Sequence, residues 1–174
     1  MTGPLHPRVA EVARLLADSG STGEVRVLPA EVRTAAAAAA ALEVPVGAIV
    51  NSLVFAVGDG ADAQPLLVLT SGAHRVDETT VAGLLGVPRL RRATPDFVRD
   101  ATGQAIGGVA PIGHPDPIGT LVDVELARYD RVWAATGHPA AMFETSYEEL
   151  LRLTGGTAAE VGEDPAALPE EVLS

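Results

Sequence analysis

The chain has 174 residues, 47% of them hydrophobic, and a formal net charge of −11 at pH 7. That length suits one domain with a well-filled core, and the acidic balance argues against sequence-blind nucleic-acid binding across a broad basic face. Cysteine is absent and all twelve basic residues are arginine, which excludes disulfides, thiolate nucleophiles, cysteine-bound zinc, a Schiff-base lysine and a P-loop lysine.

No apolar run reaches the length of a membrane span, and Met1-Thr2-Gly3-Pro4 does not begin a basic-then-apolar signal pattern. The expectation is a cytoplasmic protein without membrane contact. In chain order, Val9, Val12, Ala13, Leu15 and Leu16 recur at helical spacing between Pro7 and Ala17. Residues 24–28 alternate polar and apolar, as in a half-buried strand. Seven consecutive alanines, Ala35 to Ala41, precede Leu42; alanine is the strongest helix former, so a helix is expected there. Residues 48–57 and 65–70 are β-rich runs on either side of Gly58-Asp59-Gly60 and read as a hairpin. Asn51 and Ser52 interrupt the first run, and a buried polar pair must be hydrogen-bonded or face a cavity.

Asp77 caps an expected helix to Leu85, and Thr94-Pro95 opens another to about Thr102. Residues 120–124, 131–135 and 141–145 read as strands. Ser146-Tyr147-Glu148-Glu149 is a capping box for a helix to Leu153. Residues 1–156 are expected to form the domain and 157–174 an acidic, solvated C-terminal tail. Strands and helices are interspersed without strict βα alternation, so the fold class is α+β with a mixed sheet.

The stretch from Thr102 to Pro115 holds four glycines, two prolines and His114 with no charged group. A rigid glycine loop presents main-chain N–H groups with which a carbonyl or oxyanion is stabilised; a tight connection between elements is the plainer reading. His6, His74, His114 and His138 lack metal-ligand spacing, so no metal or cofactor is expected. No Gly-x-Ser-x-Gly elbow or dinucleotide fingerprint occurs. Arg89, Arg91, Arg92 and Arg99 form the densest basic patch, either a solvated face or a phosphate contact.

Asn51-Ser-Leu-Val-Phe55, Leu67-Val-Leu-Thr-Ser-Gly72, Leu84-Leu-Gly86, the 102–114 loop, Thr120-Leu-Val-Asp123 and Trp133-Ala-Ala-Thr-Gly-His-Pro139 together resemble the YbaK/ProX family. These aminoacyl-tRNA deacylases are related to the editing domain of bacterial prolyl-tRNA synthetases. The resemblance implies a single domain with a mixed, curled, half-barrel-like sheet surrounded by helices. It implies a hydrolase acting in trans on the ester of a mischarged tRNA, with the aminoacyl-tRNA acceptor end as partner and a synthetase or tRNA complex as a further one. Carried onto this chain, the catalytic set is Asn51, Gly107, Gly108 and His138, with His138 as a water-positioning group or weak base. The substrate contacts are Ser52, Val109, Ala110, Pro111, Gly113 and His114, and the tRNA contacts are the four patch arginines. Asn51 stands where many members carry lysine; an amide orients water but brings no charge. A non-catalytic module that binds an amino acid or aminoacyl end in the same pocket is the alternative.

Overall fold

A computed structural model describes residues 6–21, 23–32, 34–105 and 108–163. Among these residues, five α-helices and ten strands follow one another as α1 (Pro7–Asp18), β1 (Val25–Val27), α2 (Ala35–Leu42), β2 (Val50–Val57), β3 (Gln64–Ser71), β4 (Arg75–Val76), α3 (Glu78–Leu85), β5 (Arg91–Arg92), α4 (Pro95–Thr102), β6 (Gly119–Asp123), β7 (Val132–Ala135), β8 (Ala141–Thr145), α5 (Tyr147–Thr154), β9 (Thr157–Ala159) and β10 (Gly162–Glu163). The fold is mixed α+β, as expected. The three capping residues expected from sequence all accept main-chain N–H bonds: Asp77 from Thr79 and Thr80, Thr94 from Phe97, and Ser146 from Glu149.

The β2–β3 hairpin is the centre of a five-stranded sheet ordered β5-β2-β3-β6-β9. β3, β6 and β9 run parallel, whereas β2 is antiparallel to both of its neighbours. Leu67 and Leu69 of β3 join the main core with residues of α1, α4, α5, β7 and β8. Leu66 and Val68 face the other way, onto Val81 and Ala82 of α3. Burial on both faces explains why β3 is apolar throughout rather than alternating. A separate three-stranded sheet, β1-β8-β7, packs its Trp133 and Met142 under the alanine helix α2. A single parallel bridge, Ile49 to Trp133, joins the start of β2 to β7.

The structure corrects the expected tail at its start. Residues 157–159 pair in parallel with β6 and residues 162–163 pair with β4. The chain enters β9 through a close approach to β6: a Cβ on Gly156 would meet the Thr120 carbonyl at 3.0 Å. Residues 164–174, the rest of the expected tail, lie outside the described residues.

Asp123 ends β6 and is fully buried. Its carboxylate accepts from Thr70 Oγ1 at 3.0 Å, Ser71 N at 3.0 Å, Glu125 N at 2.9 Å and His74 Nδ1 at 2.9 Å. The Thr-Leu-Val-Asp motif is thus a structural tie between the ends of β3 and β6.

Candidate active site

Where β2 and β7 diverge beyond the Ile49–Trp133 bridge, a cavity of about 320 Å³ opens. Gly72 N donates to Ile49 O and Ala93 N to Val54 O. Main-chain groups alternate sides along a strand, so those of Val50 and Ser52 face away from β3, toward the cavity. β5 covers this edge only from Val54 onward. Asn51 and Ser52 both contribute to the wall although their side chains extend to opposite faces, because the cavity wraps around the strand edge. The hydroxyl of Ser52 is buried with no hydrogen-bond partner among the described residues. An orphaned buried hydroxyl costs ~1–3 kcal/mol, a cost that a bound polar group would remove.

Opposite β2 stand Gly108 and His138. The two segments are tied together by Gly137 N donating to Gly108 O at 2.9 Å. Gly108 has φ +84°, a conformation that favours glycine, and a Cβ there would meet nothing within 4 Å among the described residues. His138 Nδ1 accepts from Ala140 N at 3.0 Å, so the neutral ring carries its proton on Nε2. In that tautomer Nε2–H is a hydrogen-bond donor. Apart from Thr34, the remaining wall is apolar, with Ala35, Ala38, Ile49, Ala135, Ala141 and Met142 among its residues. His138 is the one titratable side chain among the described lining residues, and no cluster of described His, Asp or Glu is placed to hold a metal ion.

Residues 29–153 match the aminoacyl-tRNA editing domain, from the turn after β1 to α5. The chain belongs to this family. Among relatives of this editing domain, the proline–tRNA ligase of Levilactobacillus brevis is 33% identical over 82 residues, which are 47% of this chain and 14% of the ligase. The chain therefore spans about one seventh of that ligase's length. The uncharacterized protein YwhH of Bacillus subtilis is 30% identical over 113 residues, 65% of this chain and 69% of YwhH. A crystal structure of a candidate trans-editing enzyme for prolyl-tRNA synthetase superposes with a TM-score of 0.83 at 44% identity, covering 92% of this chain and 99% of that one. These similarities bear out the resemblance to the YbaK/ProX family and the α+β fold.

Within this editing domain, the structure brings Asn51, Ser52, Gly108 and His138 to one cavity, as the sequence led us to expect. Gly107 lies outside the described residues. The other expected substrate contacts are not among the described wall residues. Val109 and Ala110 belong to the main core, and Pro111 is buried with them. Gly113 packs against Leu15 and Glu11 of α1. His114 Nε2 donates to Ala110 O at 2.8 Å, which turns it toward the loop's own main chain. These residues shape the loop; among its described residues, Gly108 is the one that lines the cavity.

Burial pushes the His114 imidazole below its ordinary value of 6.5, against the smaller opposing effect of its bond to Ala110 O. The unfolded chain then binds this proton more readily than the folded one. The associated stability is complete above about pH 6.5 and is lost as the pH falls through the lowered folded value. Melting temperature should therefore drop more for the wild type than for His114→Gln between about pH 7.5 and pH 5, and equal slopes would remove His114 from the acid response.

Sequence reading missed Gln104, which is 2% exposed. Its Oε1 accepts the Ala110 N–H at 2.7 Å, and its own N–H donates to Thr102 Oγ1 at 3.0 Å. The same Oε1 sits 2.7 Å from where a Cβ on Gly137 would be. Gln104 thus wedges between the glycine loop and the His138 segment and sets their separation. A lone glutamine among glycines carries no sequence signal, since its partner is main chain. Gln104→Met is expected to lower stability by ~2 kcal/mol through the orphaned Ala110 N–H. Faster amide exchange at Ala110 would locate the effect, and unchanged stability and exchange would contradict the wedge.

The arginine patch lies elsewhere. Arg92 pairs with Phe55, four residues along β2 from Asn51, or about 13 Å at strand rise. Arg91 bonds Gly58 O and lies 3.8 Å from Asp59, Arg92 is 3.8 Å from Glu78, and Arg99 is 3.3 Å from Asp96. Arg89 is exposed, with no ion pair among the described residues. A second groove at the far end of α2 gathers Arg26, Arg128 and Arg131 beside Tyr129 and Trp133, with Asp130 and Glu144 in its wall.

Proposed function

We propose that this domain is an aminoacyl-tRNA deacylase acting in trans, and that the cavity between β2, Gly108 and His138 holds the scissile ester. The observation that carries the reading is the convergence of Asn51, Ser52, Gly108 and His138 on one small, apolar-walled cavity in a member of the editing-domain family. Synthetases separate amino acids differing by one methylene by only ~1–3 kcal/mol, so a small wrong amino acid needs removal by hydrolysis.

In this reading a water oxygen adds to the ester carbonyl carbon. The charge that develops on the carbonyl oxygen meets the Gly108 N–H and the Nε2–H of His138, donors held in place before the reaction begins. Collapse breaks the bond between the acyl carbon and the ribose oxygen, and the proton shed by the water ends on that oxygen. The described wall holds no carboxylate or lysine to take the proton first, so the neighbouring ribose hydroxyl serves as the relay. Asn51 orients the water or the ribose through its amide. The exposed arginines at 89, 91, 92 and 99 contact tRNA phosphates away from the ester, at some cost to their local ion pairs.

The test is release of free amino acid from alanyl-, cysteinyl-, seryl- and threonyl-tRNA by the purified protein. Turnover of at least one, well above the rate in buffer, is expected. The absence of a carboxylate base in the described wall favours one other reading, a binding module. Measurable affinity for all four tRNAs without turnover of any would replace the deacylase with that module.

A further inference from the structure

α1 begins beside the candidate site. His6 is its N-cap, with Nδ1 accepting the Arg8 N–H at 3.1 Å. The His6 and His138 ring centroids are 4.6 Å apart with the planes tilted by 50°, a separation at which rings are in contact. His6 is not itself a wall residue of the cavity; it touches the residue that is. The helix is not free to drift from this position. Arg8 donates to Gly103 O at 2.7 Å, its methylenes fill the space a Cβ on Gly137 would take, and Val9, Val12 and Leu16 are buried in the core. Three contacts thus seat the first turn of α1 against both segments that form the site.

His138 needs such a support. Its described side-chain hydrogen bond is the one to Ala140 N, at Nδ1. One bond leaves an imidazole free to rock about it, since the torsion that turns the ring is broad. The His6 ring, in contact with it at 4.6 Å between centroids, limits that motion. Of the other charged groups on this part of α1, Arg8 faces Gly103 and Glu11 faces Gly113.

We propose that His6 is a positioning residue: its ring holds the His138 imidazole in the orientation that presents Nε2–H to the cavity. The kinetic consequence rests on the deacylase reading; the structural one does not. Two variants separate the ring from the cap. His6→Asn keeps an N-cap acceptor and loses the ring, while His6→Phe keeps a ring and loses the acceptor. Single-turnover and steady-state deacylation of the tRNA the wild type hydrolyses fastest, with melting temperature and long-range ¹⁵N–¹H spectra of the histidines, read both effects.

His6→Asn is expected to lower kcat about tenfold with KM and melting temperature unchanged, as misplacement of a donor does. Its His138 signals should move from a fixed Nε2–H pattern toward tautomer averaging. His6→Phe should recover most of the rate and the fixed pattern despite its lower melting temperature. Unchanged kcat and spectrum in His6→Asn would overturn the inference. So would equal rate loss in both variants tracking the melting temperature, which is what a cap alone would produce. If the wild type hydrolyses none of the tRNAs, the deacylase reading fails, and the spectra still decide the role of His6.

Discussion

Gly108→Ala should slow hydrolysis of mischarged tRNA by on the order of 10²-fold: the N–H remains, but the added methyl group keeps the developing oxyanion from reaching it, which costs about as much as losing one preorganised donor. The methyl group has room in the free protein, since no described residue lies within 4 Å of its position. The cost to folding is therefore confined to the φ of +84°, on the order of 1–2 kcal/mol for a residue with a Cβ. Rate and stability should separate clearly in one variant. A stable Gly108→Ala protein hydrolysing at the wild-type rate would remove the glycine loop from the chemistry.

The largest loss of stability is expected elsewhere, from Asp123→Ala. The buried carboxylate accepts from Thr70, Ser71, His74 and Glu125, and all four donors would lose it together. Orphaned buried donors and broken buried pairs cost several kcal/mol, so a loss of about 3 kcal/mol is expected. In a domain of this size that is a fall of roughly 6–12 °C in melting temperature. Asp123→Asn, with one acceptor oxygen kept, should lose less. Asp123 is not a wall residue of the cavity, so whatever fraction of Asp123→Ala stays folded should hydrolyse at the wild-type rate. A loss of stability below about 1 kcal/mol would mean that the tie is not structural.

How far this fold was legible in sequence depended on whether the signal was local. The caps at Asp77, Thr94 and Ser146 and the apolar runs of β2 and β3 are local chemistry, and each element formed where its residues placed it. The alanine helix is local as well. The two-residue strands β4 and β5 were not legible, because two residues carry no period. Residues 157–163 look like tail because Thr157, Ala158 and Ala159 are small and flank acids. Their strand exists only because β6 offers an edge. At the site, Asn51 and Ser52 stood out as polar residues in an apolar run, and Gly108 and His138 as members of loop motifs. Gln104 and His6 did not, since both act through main chain or through another side chain. Ala110 and His114 belonged to the right loop, but burial turns them into its supports.

The most direct test is to locate the ester. An aminoacyl-adenosine with an amide in place of the ester binds without being cleaved, and titrating it into ¹⁵N-labelled protein maps the contact. The largest shifts are expected at Asn51, Ser52, Gly108 and His138, with the groove around Arg26, Tyr129 and Arg131 unmoved. Shifts confined to that second groove, with Gly108 and His138 unperturbed at saturation, would contradict the assignment of the cavity as the site of hydrolysis.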